Sequence, residues 1–542
     1  MAHYVPISET GGVVLSPTAW QQFTDFANVL KAFIGTSYLA LPFAFKQSGL
    51  ALGIVALVLI ATITDHCCQM IIKCKKVAVT MILDSSHQYR QLKADHCHEE
   101  MQKIRMAVEM EMTLGDIGKI TIGDWGLRIV NVALVLTQTG FCVAYFIFMG
   151  NTIKSMFPYE FPSQNITKNA SVQHLPKLSN FPVPISDESV KTITLNGTLL
   201  MDATHGQRSA PMFPLLLLIP LPFVVAMAFI RKIRKLGPIS GLANIALLAG
   251  FFGLLVQILD GLHFKLNDVT LANWITFPIF FGQLTCAYEG IGCIIPIESG
   301  MGSNRPRFPL YLHLTLAQLS VLLGSFGVLG FLIYGNDVPQ IVTDKLTTGL
   351  FAQLVRVTLI IAVLFTYPLQ LFPVIQIAES LVFEKIRRKH KSHLSDIVSC
   401  PADAIGRQEV TNYQTIDSTT SHGESGVSVH ARSKEANEHE LQFKTAAWKR
   451  NFLRFFLVLI TAGMAVLLKD DFAYVNALIG SLGSSVLAYI LPCVFHLVLF
   501  KDSNSGPIVI KDIALIIFGV VGGIMGVVIT VQSIIKDFSQ RL

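Results

Sequence analysis

Charged residues are scarce in this 542-residue chain, in which Asp, Glu, Lys and Arg together make up only 14% of the positions. Soluble domains average about 25%. Hydrophobic residues make up 52% of the chain, and its mean hydropathy is +0.54. One soluble core cannot enclose so much apolar surface, so the composition excludes a soluble protein and predicts that lipid surrounds part of the chain.

Catalytic and cofactor motifs are also absent from the sequence. It has no Gly-rich phosphate loop, no HExxH pair, no nucleophile elbow and no CxxC spacing among its nine cysteines. We therefore expect neither an enzyme nor a cofactor or a bound metal. The formal charge of +6 is divided among short clusters, which does not indicate a nucleic-acid partner. The polar N-terminus lacks a basic segment followed by an apolar one, so we expect no cleavable signal peptide.

Long apolar segments occur along the whole chain. A helix needs about 20 apolar residues to cross a bilayer. Eleven candidate segments occupy residues 26–47, 51–73, 127–150, 212–230, 239–260, 274–297, 311–334, 353–383, 451–468, 473–500 and 511–535. The sequence therefore predicts an all-α membrane protein with eleven transmembrane helices. Its transmembrane domain is residues 26–535, between an N-terminal tail, 1–25, and a C-terminal tail, 536–542.

Lys and Arg residues are concentrated in alternate loops between these segments. Clusters occur at Lys73 to Lys76, at Arg231 to Lys235, at Arg305 with Arg307, and from Lys385 to Lys391. Because cytosolic loops carry an excess of Lys and Arg, this pattern places the N-terminus in the cytosol. An odd number of spans then places the C-terminus on the luminal or extracellular side.

Three glycosylation sequons fall in one polar loop, residues 151–211. They begin at Asn165, Asn169 and Asn196. The distribution of Lys and Arg independently places this loop outside the cytosol. We therefore predict that glycans attach to these asparagines in a luminal or extracellular compartment.

Two further segments are predicted to lie in the cytosol. Residues 77–126 mix charged and apolar positions, which predicts a short surface helix. Residues 385–450 are predicted to be mostly disordered, because 392–446 are rich in Ser, Thr, His and Glu and poor in large apolar residues. The stretch 392–446 is a candidate for binding cytosolic partners.

Two spans carry interruptions that favour unwound backbone. Span one contains Gly35-Thr36-Ser37, and span six contains Tyr288-Glu289-Gly290. The two spans are five apart, as are the broken helices that begin two inverted five-helix repeats and bind substrate between them. This matched placement favours a substrate site between the interruptions. The alternative is that both are ordinary glycine kinks in packed helices.

Two ionisable residues within the spans are candidates for proton coupling. Glu289 either carries a proton or holds the unwound backbone, and the alternative is a structural carboxylate bonded to neighbouring amides. A histidine near its ordinary pKa can accept a coupling proton, which makes His66, seven residues before Lys73, the second candidate. Alternatively, His66 lies at the membrane interface and anchors the end of the helix.

Several stretches, in order and within the predicted spans, are typical of one family. They are Lys31 with Ile34-Gly35-Thr36 and Leu41-Pro42; His66-Cys67 with Lys73-Cys74; Thr137-Gln138 with Gly140-Phe141-Cys142 and Tyr145-Phe146; Phe229-Ile230-Arg231; Leu242-Ala243-Asn244-Ile245; and Phe280-Phe281-Gly282 with Glu289-Gly290-Ile291-Gly292. Through them the chain resembles the proton-coupled amino acid transporters of the amino acid/auxin permease group. The resemblance covers residues 26 to 535, outside the loops 77–113, 151–211 and 392–446.

The resemblance implies a LeuT-like core of two inverted five-helix repeats plus one extra helix. It implies symport of small neutral amino acids, driven by protons, across a plasma, lysosomal or endosomal membrane. It implies that His66 takes part in proton coupling, that Gly35-Thr36 and Tyr288-Glu289-Gly290 surround the substrate, and that Tyr145 faces the pocket. The expected partners are therefore the amino acid, the proton and membrane lipid.

The first span departs from the glycine-rich pattern of that family. Ala32, Phe33, Ser37, Tyr38 and Ala40 occupy positions where the family has glycine, asparagine or leucine. Side chains in place of glycine narrow the pocket. An amino acid sensor or scaffold with little transport is therefore a second hypothesis.

Sodium coupling is a third hypothesis. The sodium site of this fold needs paired Ser or Thr residues on span eight. Span eight contains Thr358 and Thr366 but no adjacent pair, which favours protons as the coupled ion.

Overall fold

The computed structural model describes residues 18–95, 97–157, 211–230, 237–260, 263–346, 349–382 and 428–541, and these residues contain no strand. The α-helices are α1 Ala19–Phe33, α2 Leu41–Ser48, α3 Leu50–Ser85, α4 His87–Ala94, α5 His98–Glu111, α6 Leu114–Ile122, α7 Asp124–Lys154, α8 Phe213–Leu217, α9 Leu221–Ala228, α10 Gly237–Asp260, α11 Phe277–Ala287, α12 Ile291–Gly300, α13 Phe308–Tyr334, α14 Leu350–Val382, α15 Ser428–Leu467, α16 Phe472–Ile479, α17 Leu491–Leu499 and α18 Gly506–Arg541. The all-α prediction is thus confirmed for the described part of the chain.

Nine helical segments of the described chain are long and apolar enough to cross a bilayer. They correspond to nine of the eleven predicted spans. Their outward faces carry exposed apolar side chains, such as Ile517, Val521 and Ile524 on α18. Such faces are unfavourable in water and match the interior of a bilayer. The protein is therefore a multi-pass membrane protein.

The two remaining predicted spans, 26–47 and 212–230, are each divided into shorter helices. In the second of them, α8 ends before Pro220 and Pro222. Proline lacks an N–H group and its ring collides with the carbonyl four residues earlier, so a helix cannot continue through the pair. Whether both divided segments cross the membrane stays a prediction.

The first segment is divided at the predicted interruption. Helix α1 begins with a capping box, in which the Thr18 side chain accepts a hydrogen bond from the Gln21 N–H group. It ends at Phe33, and the backbone is extended at Ile34 and Gly35. A 3₁₀ helix, Thr36–Ala40, follows and leads into α2.

The sixth and tenth spans also depart from regular α-helix. Tyr288 to Gly290 separate α11 from α12, as the sequence predicts. Between α16 and α17, the chain forms two π-helical turns, Gly480–Ser484 and Val486–Ile490. Wide turns of this kind occur frequently at functional sites. The interruption of span six was predicted, whereas the π-helical turns of span ten were not.

Residues 77–126 form the end of α3 and the helices α4, α5 and α6. An ion network holds this region to span six. The buried Lys75 ammonium donates to Glu298 Oε2 at 2.7 Å and to the Ser299 hydroxyl. The Arg305 guanidinium bonds both Glu298 and Glu109. The network therefore joins α3, α5 and α12.

Part of the segment predicted to be disordered is helical. Helix α15 begins at Ser428, well before span nine. The helix covers residues 428–450 of that segment, while residues 383–427 lie outside the described part of the chain, so mostly disordered structure for 385–450 stays a prediction. The stretch contains good helix formers such as Ala, Glu and Lys, and it continues directly into a span. Adding turns to an existing helix avoids the cost of nucleation.

Candidate functional site

The interruptions of spans one and six lie against each other. A β-carbon at Gly290 would come within 2.6 Å of the Phe33 ring and 3.0 Å of the Ala32 carbonyl oxygen. Only glycine permits so close an approach of backbone to a neighbouring segment. The structure thus brings together the two interruptions that the sequence analysis paired.

A side chain of α11 satisfies the unwound backbone of span one. The Gln283 amide donates to the Ser37 carbonyl oxygen at 3.0 Å, and Ser37 Oγ lies 3.4 Å from Cys286 Sγ. Buried carbonyl groups without partners are costly. The hydrogen bond from Gln283 therefore stabilises the unwound backbone of span one. An ordinary glycine kink does not need such a partner.

A small cavity of about 30 Å³ opens beside Gly35. Its walls are mostly apolar, and they include Phe33, Tyr38, Phe251 and Leu323. A β-carbon placed on Gly35 would meet no atom within 4 Å. The extended backbone at Gly35 is therefore accessible from the cavity, where a ligand would approach it. We call this space the central cavity.

Thr36 and Tyr145 lie in the core beside the first interruption. Both side chains are buried. The Tyr145 hydroxyl is close to the side chains of Thr36 and Gln370, yet it makes no well-formed hydrogen bond with any described residue. Its position agrees with a role near the pocket, although it does not line the central cavity.

The second interruption presents two polar side chains. The Tyr288 hydroxyl lies 2.7 Å from Ser320 Oγ, which fixes the ring against α13. The Glu289 carboxyl group lies close to the Ser484 hydroxyl in the π-helical part of span ten. Its buried Oε2 atom has no hydrogen-bond partner in the described residues. Glu289 thus differs from a structural carboxylate whose oxygens are both satisfied.

His66 lies in a separate cluster and does not line the central cavity. Its Nε2 atom is 2.6 Å from the Lys511 ammonium. Lys511 is 3.0 Å from Asp512 Oδ1, and His496 Nδ1 is 2.7 Å from Asp512 Oδ2. Asp512 is fully buried. Four titratable side chains from spans two, ten and eleven therefore form one chain of contacts.

Three hydroxyl groups, those of Thr64, Tyr489 and Thr285, connect the helix that carries His66 with span six. The Tyr489 hydroxyl is 3.4 Å from Thr64 Oγ1 on α3 and 3.3 Å from Thr285 Oγ1 on α11. Thr64 precedes His66 by less than one helical turn, and Thr285 precedes Glu289 by about one turn. Through Tyr489 of span ten, this bridge joins spans two and six, which carry the two ionisable candidates.

Sequence reasoning missed several residues of these arrangements. They are Gln283, Ser320, Ser484, Tyr489, His496, Lys511 and Asp512. Four of them carried a signal, because Gln283 is polar within an apolar segment and His496, Lys511 and Asp512 are ionisable within predicted spans. Ser320, Ser484 and Tyr489 gave none, since their partners lie far away in the sequence. The predicted glycosylation sites Asn165, Asn169 and Asn196 lie outside the described residues.

The fold and this site define a multi-pass helical membrane protein in which two broken spans meet beside a cavity. A family model for transmembrane amino acid transporter proteins matches residues 18–174 and 199–535. The chain therefore belongs to the transmembrane amino acid transporter family. Members of this family are transporters, so the expectation that the chain is not an enzyme is confirmed.

Similar individual proteins come from a plant and a yeast. The chain is 24% identical to amino acid transporter AVT3B of Arabidopsis thaliana over 522 residues, which cover 95% of this chain and 94% of the relative. It is 26% identical to vacuolar amino acid transporter 4 of Saccharomyces cerevisiae over 479 residues, which cover 87% of this chain and 52% of the relative.

Proposed function

We propose that this protein is a proton-coupled symporter of small neutral amino acids that works by alternating access. In this proposal eleven spans form a LeuT-like core of two inverted repeats plus one extra helix. The main support is the contact between the two interruptions, beside which Oε2 of Glu289 has no hydrogen-bond partner among the described residues. A structural carboxylate in a membrane span normally has its partners in place.

The amino acid would bind between the two interruptions. Its carboxylate would face the free N–H groups at the start of the Thr36–Ala40 helix and of α12, where helix dipoles favour negative charge. Its ammonium group would complete the hydrogen bonding of Glu289. Tyr145 and Tyr288 would lie near the substrate, behind the residues that line the central cavity. In this arrangement the substrate meets backbone groups of Gly35, Ser37 and Gly290. It also meets the hydroxyl group of Thr36.

The side chains around the central cavity support a small substrate. Phe33 occupies a position where the family has a smaller residue, and its ring fills the space beside Gly290. Tyr38 packs edge-on against Phe251, with ring centroids 5.3 Å apart. These rings narrow the space beside Gly35, which favours a short substrate side chain, as in alanine or proline, or none, as in glycine.

Protons would drive uptake through His66 and its cluster. A neutral zwitterion gains nothing from the membrane potential unless a cation crosses with it, and each charge gains about 2.3 kcal/mol per 100 mV. A proton arriving at His66 would repel the Lys511 ammonium 2.6 Å away. Lys511 would then pair more closely with Asp512, and protonation would shift α18 relative to α3.

Sodium coupling and an amino acid sensor are the two alternative functions. Sodium coupling would use Thr358 and Thr366, but each hydroxyl donates to the carbonyl four residues before it in α14. A sensor with little transport is supported by the bulky first span. The yeast relative is named as a vacuolar transporter. We propose that this chain also resides in an acidic endomembrane compartment and that it carries glycans.

Uptake of a panel of amino acids into proteoliposomes tests the proposal. Currents and radiolabel would be measured at about pH 5.5 and about pH 7.4, a range in which histidine changes charge, with and without sodium. We expect electrogenic uptake of small neutral amino acids that is stimulated by acid and independent of sodium. A requirement for sodium would show that sodium, and not the proton, is the coupled ion. Binding of amino acids without uptake would show that the protein is a sensor.

A further inference from the structure

Tyr489 lies at the point where spans two, six, ten and eleven meet. It belongs to the second π-helical turn of span ten, Val486–Ile490, and its side chain is fully buried. Its ring packs on Phe281 of α11 and Phe518 of α18, with ring centroids 6.2 Å and 5.5 Å away. A β-carbon at Gly519 of α18 would come within 3.0 Å of the Tyr489 β-carbon. A movement of α18 therefore displaces Tyr489 directly.

The Tyr489 hydroxyl is shared between two buried threonines on different spans. It lies 3.4 Å from Thr64 Oγ1 and 3.3 Å from Thr285 Oγ1. Both distances exceed the usual hydroxyl–hydroxyl separation of about 2.7 Å, so neither threonine holds the tyrosine alone. A tyrosine hydroxyl has a single proton, so it can donate to only one of the two threonines at a time. The bridge therefore has two arrangements, one in which Tyr489 donates towards span two and one in which it donates towards span six.

The cluster around His66 reaches Tyr489 through two helices. On α18, Phe518 follows Asp512 by less than two turns and packs on the Tyr489 ring. On α17, His496 bonds Asp512 and follows Tyr489 by about two turns. The charged and titratable groups that act on His66 are Lys73 of α3, Lys511 and Asp512 of α18 and His496 of α17.

The other end of the bridge lies beside the second interruption. Thr285 precedes Glu289 by about one turn. The Glu289 carboxyl group is close enough to Tyr489 to act on it electrostatically, and the Cys67 thiol of α3 is a second titratable group near it. The bridge thus connects the cluster that would take up a proton with the interruption that would bind substrate.

We propose that Tyr489 is the residue that couples proton binding at His66 to substrate binding between the interruptions. This inference rests on the proposed function, which supplies the proton and the substrate. Protonation of His66 shifts α18, and the shift moves Tyr489 relative to Thr64 and Thr285. Its hydroxyl then bonds one threonine at the expense of the other, which changes the position of span six. Tyr489 acts through Thr285 and does not touch the substrate, so it is a positioning residue.

Coupling between the two sites has a measurable signature. Two coupled sites change each other's affinity by the same factor, so a proton at His66 raises the affinity for substrate. Removing the link leaves each site able to bind alone and makes the affinity for substrate independent of pH. A structural defect would instead weaken substrate binding at every pH.

Equilibrium binding of radiolabelled alanine to the purified full chain tests the inference at about pH 5.5 and about pH 7.4, between which histidine changes charge. We expect the wild type to bind alanine at least about fivefold more tightly at the lower pH, the smallest factor typical of coupled sites. In Tyr489→Phe, the affinities at the two pH values are expected to be equal, and both are expected to match the wild-type affinity at the higher pH.

Tyr367→Phe is the matched control. The Tyr367 hydroxyl is also buried and also bonds a threonine of another span, since it lies 2.7 Å from Thr461 Oγ1 of α15. Neither Tyr367 nor Thr461 belongs to the bridge or to the cluster around His66. This variant is expected to keep the wild-type dependence of alanine affinity on pH.

Two substitutions of Thr285 test the bridge itself. Thr285→Val removes the hydroxyl and is expected to abolish the dependence on pH. Thr285→Ser keeps the hydroxyl and is expected to preserve it. Equal effects of the two substitutions would show that packing matters and the hydroxyl does not, and would overturn the bridge. This pair also decides the question if Tyr489→Phe fails to fold.

Transport provides a second measurement. In proteoliposomes, exchange of internal for external alanine requires no net movement of protons, whereas net uptake stimulated by acid does. Tyr489→Phe is expected to exchange alanine at close to the wild-type rate and to lose the stimulation of net uptake by acid. Loss of exchange as well would show a general defect in the transport cycle and would contradict a role confined to coupling.

The binding results distinguish failure of this coupling role from failure of the proposed function. A wild type whose affinity for alanine does not change with pH would overturn proton coupling, and the role of Tyr489 with it. A pH-dependent wild type with the same dependence in Tyr489→Phe would overturn the role of Tyr489 alone. Weaker binding by Tyr489→Phe at both pH values, with the wild-type ratio between them, would show a structural role and would also overturn the coupling.

Discussion

Gly290 of span six lies against the Phe33 ring of span one, where a single added carbon atom would approach the ring to 2.6 Å. The contact means that neither interruption can move without displacing the other. If substrate binds between the two broken spans, as proposed, this contact links the two sides of the site.

The first prediction concerns this contact. Gly290→Ala is expected to raise the KM for uptake about tenfold, because overpacking a buried contact costs about 1–3 kcal/mol. The measurement is uptake kinetics in proteoliposomes. Gly292→Ala is the matched control, since its β-carbon would lie 3.5 Å from Leu134, an ordinary contact. Equal effects of the two substitutions would count against a special role for the contact.

The second prediction concerns proton coupling. His66→Gln keeps hydrogen bonding near Lys511 but cannot take up a proton, so acid-stimulated uptake is expected to disappear. Asp512→Asn is expected to have the same effect through the loss of the charge that holds Lys511 and His496. The control is His313→Gln, because His313 pairs with Asp65 at 2.7 Å in a different cluster. If the His66→Gln variant takes up substrate with an unchanged pH profile, His66 is not the proton-coupling residue and Glu289 becomes the next candidate.

The third prediction concerns the buried ion network. Glu298→Gln removes the partner of the fully buried Lys75, and an uncompensated buried charge costs about 3–5 kcal/mol. A lowered thermal unfolding temperature in detergent would report this loss. Glu99→Gln, which removes an exposed pair with Lys103, is expected to leave the unfolding temperature unchanged. Similar unfolding temperatures for both variants would contradict the predicted cost.

The fourth prediction concerns the acid stability of the surface helix α5. Burial tends to raise the pKa of Glu109, but hydrogen bonds from Arg305 and Arg105 and the charges of both outweigh it and hold that pKa below its ordinary value of 4.5. A lowered pKa stabilises the folded state above the unfolded value, and the contribution is lost as pH falls through the folded value.

Thermal unfolding measured across acidic pH checks this prediction. The wild type is expected to lose stability below about pH 4.5, as the Glu109 carboxylate becomes protonated. Glu109→Gln is expected to be less stable at neutral pH and to show a smaller decrease on acidification. Parallel curves for the two proteins would rule out Glu109 as the group responsible.

The fifth prediction concerns glycosylation and orientation. Treatment with a glycosidase is expected to lower and sharpen the band of the cellular protein on a gel. The triple substitution of Asn165, Asn169 and Asn196 by Gln is expected to migrate like the treated wild type. A wild-type band that treatment leaves unchanged would remove the main support for a luminal or extracellular loop 151–211.

The positions of the interruptions could be predicted from the sequence because their causes are local. Gly35 and Gly290 each lie among polar residues within an apolar segment, and only glycine tolerates the close approach found at Gly290. Apolar length likewise predicted nine spans that the structure contains, since a bilayer of fixed thickness requires a fixed length of helix. The prolines at 220 and 222 could have indicated the division of the fourth segment.

The partners of these residues could not be predicted, because they depend on how distant spans pack. Gln283 and Ser37 are 246 positions apart, and Lys511 and His66 are 445 apart. Neither the apolar pattern nor a local motif states which polar side chains will meet inside the bundle. Sequence alone determined a membrane protein with two interrupted spans. The tertiary structure decided that the interruptions touch and that His66 is connected to Asp512 through Lys511. The reason is that a polar group removed from water needs a hydrogen-bond partner, and the packing of distant spans determines which partner is near.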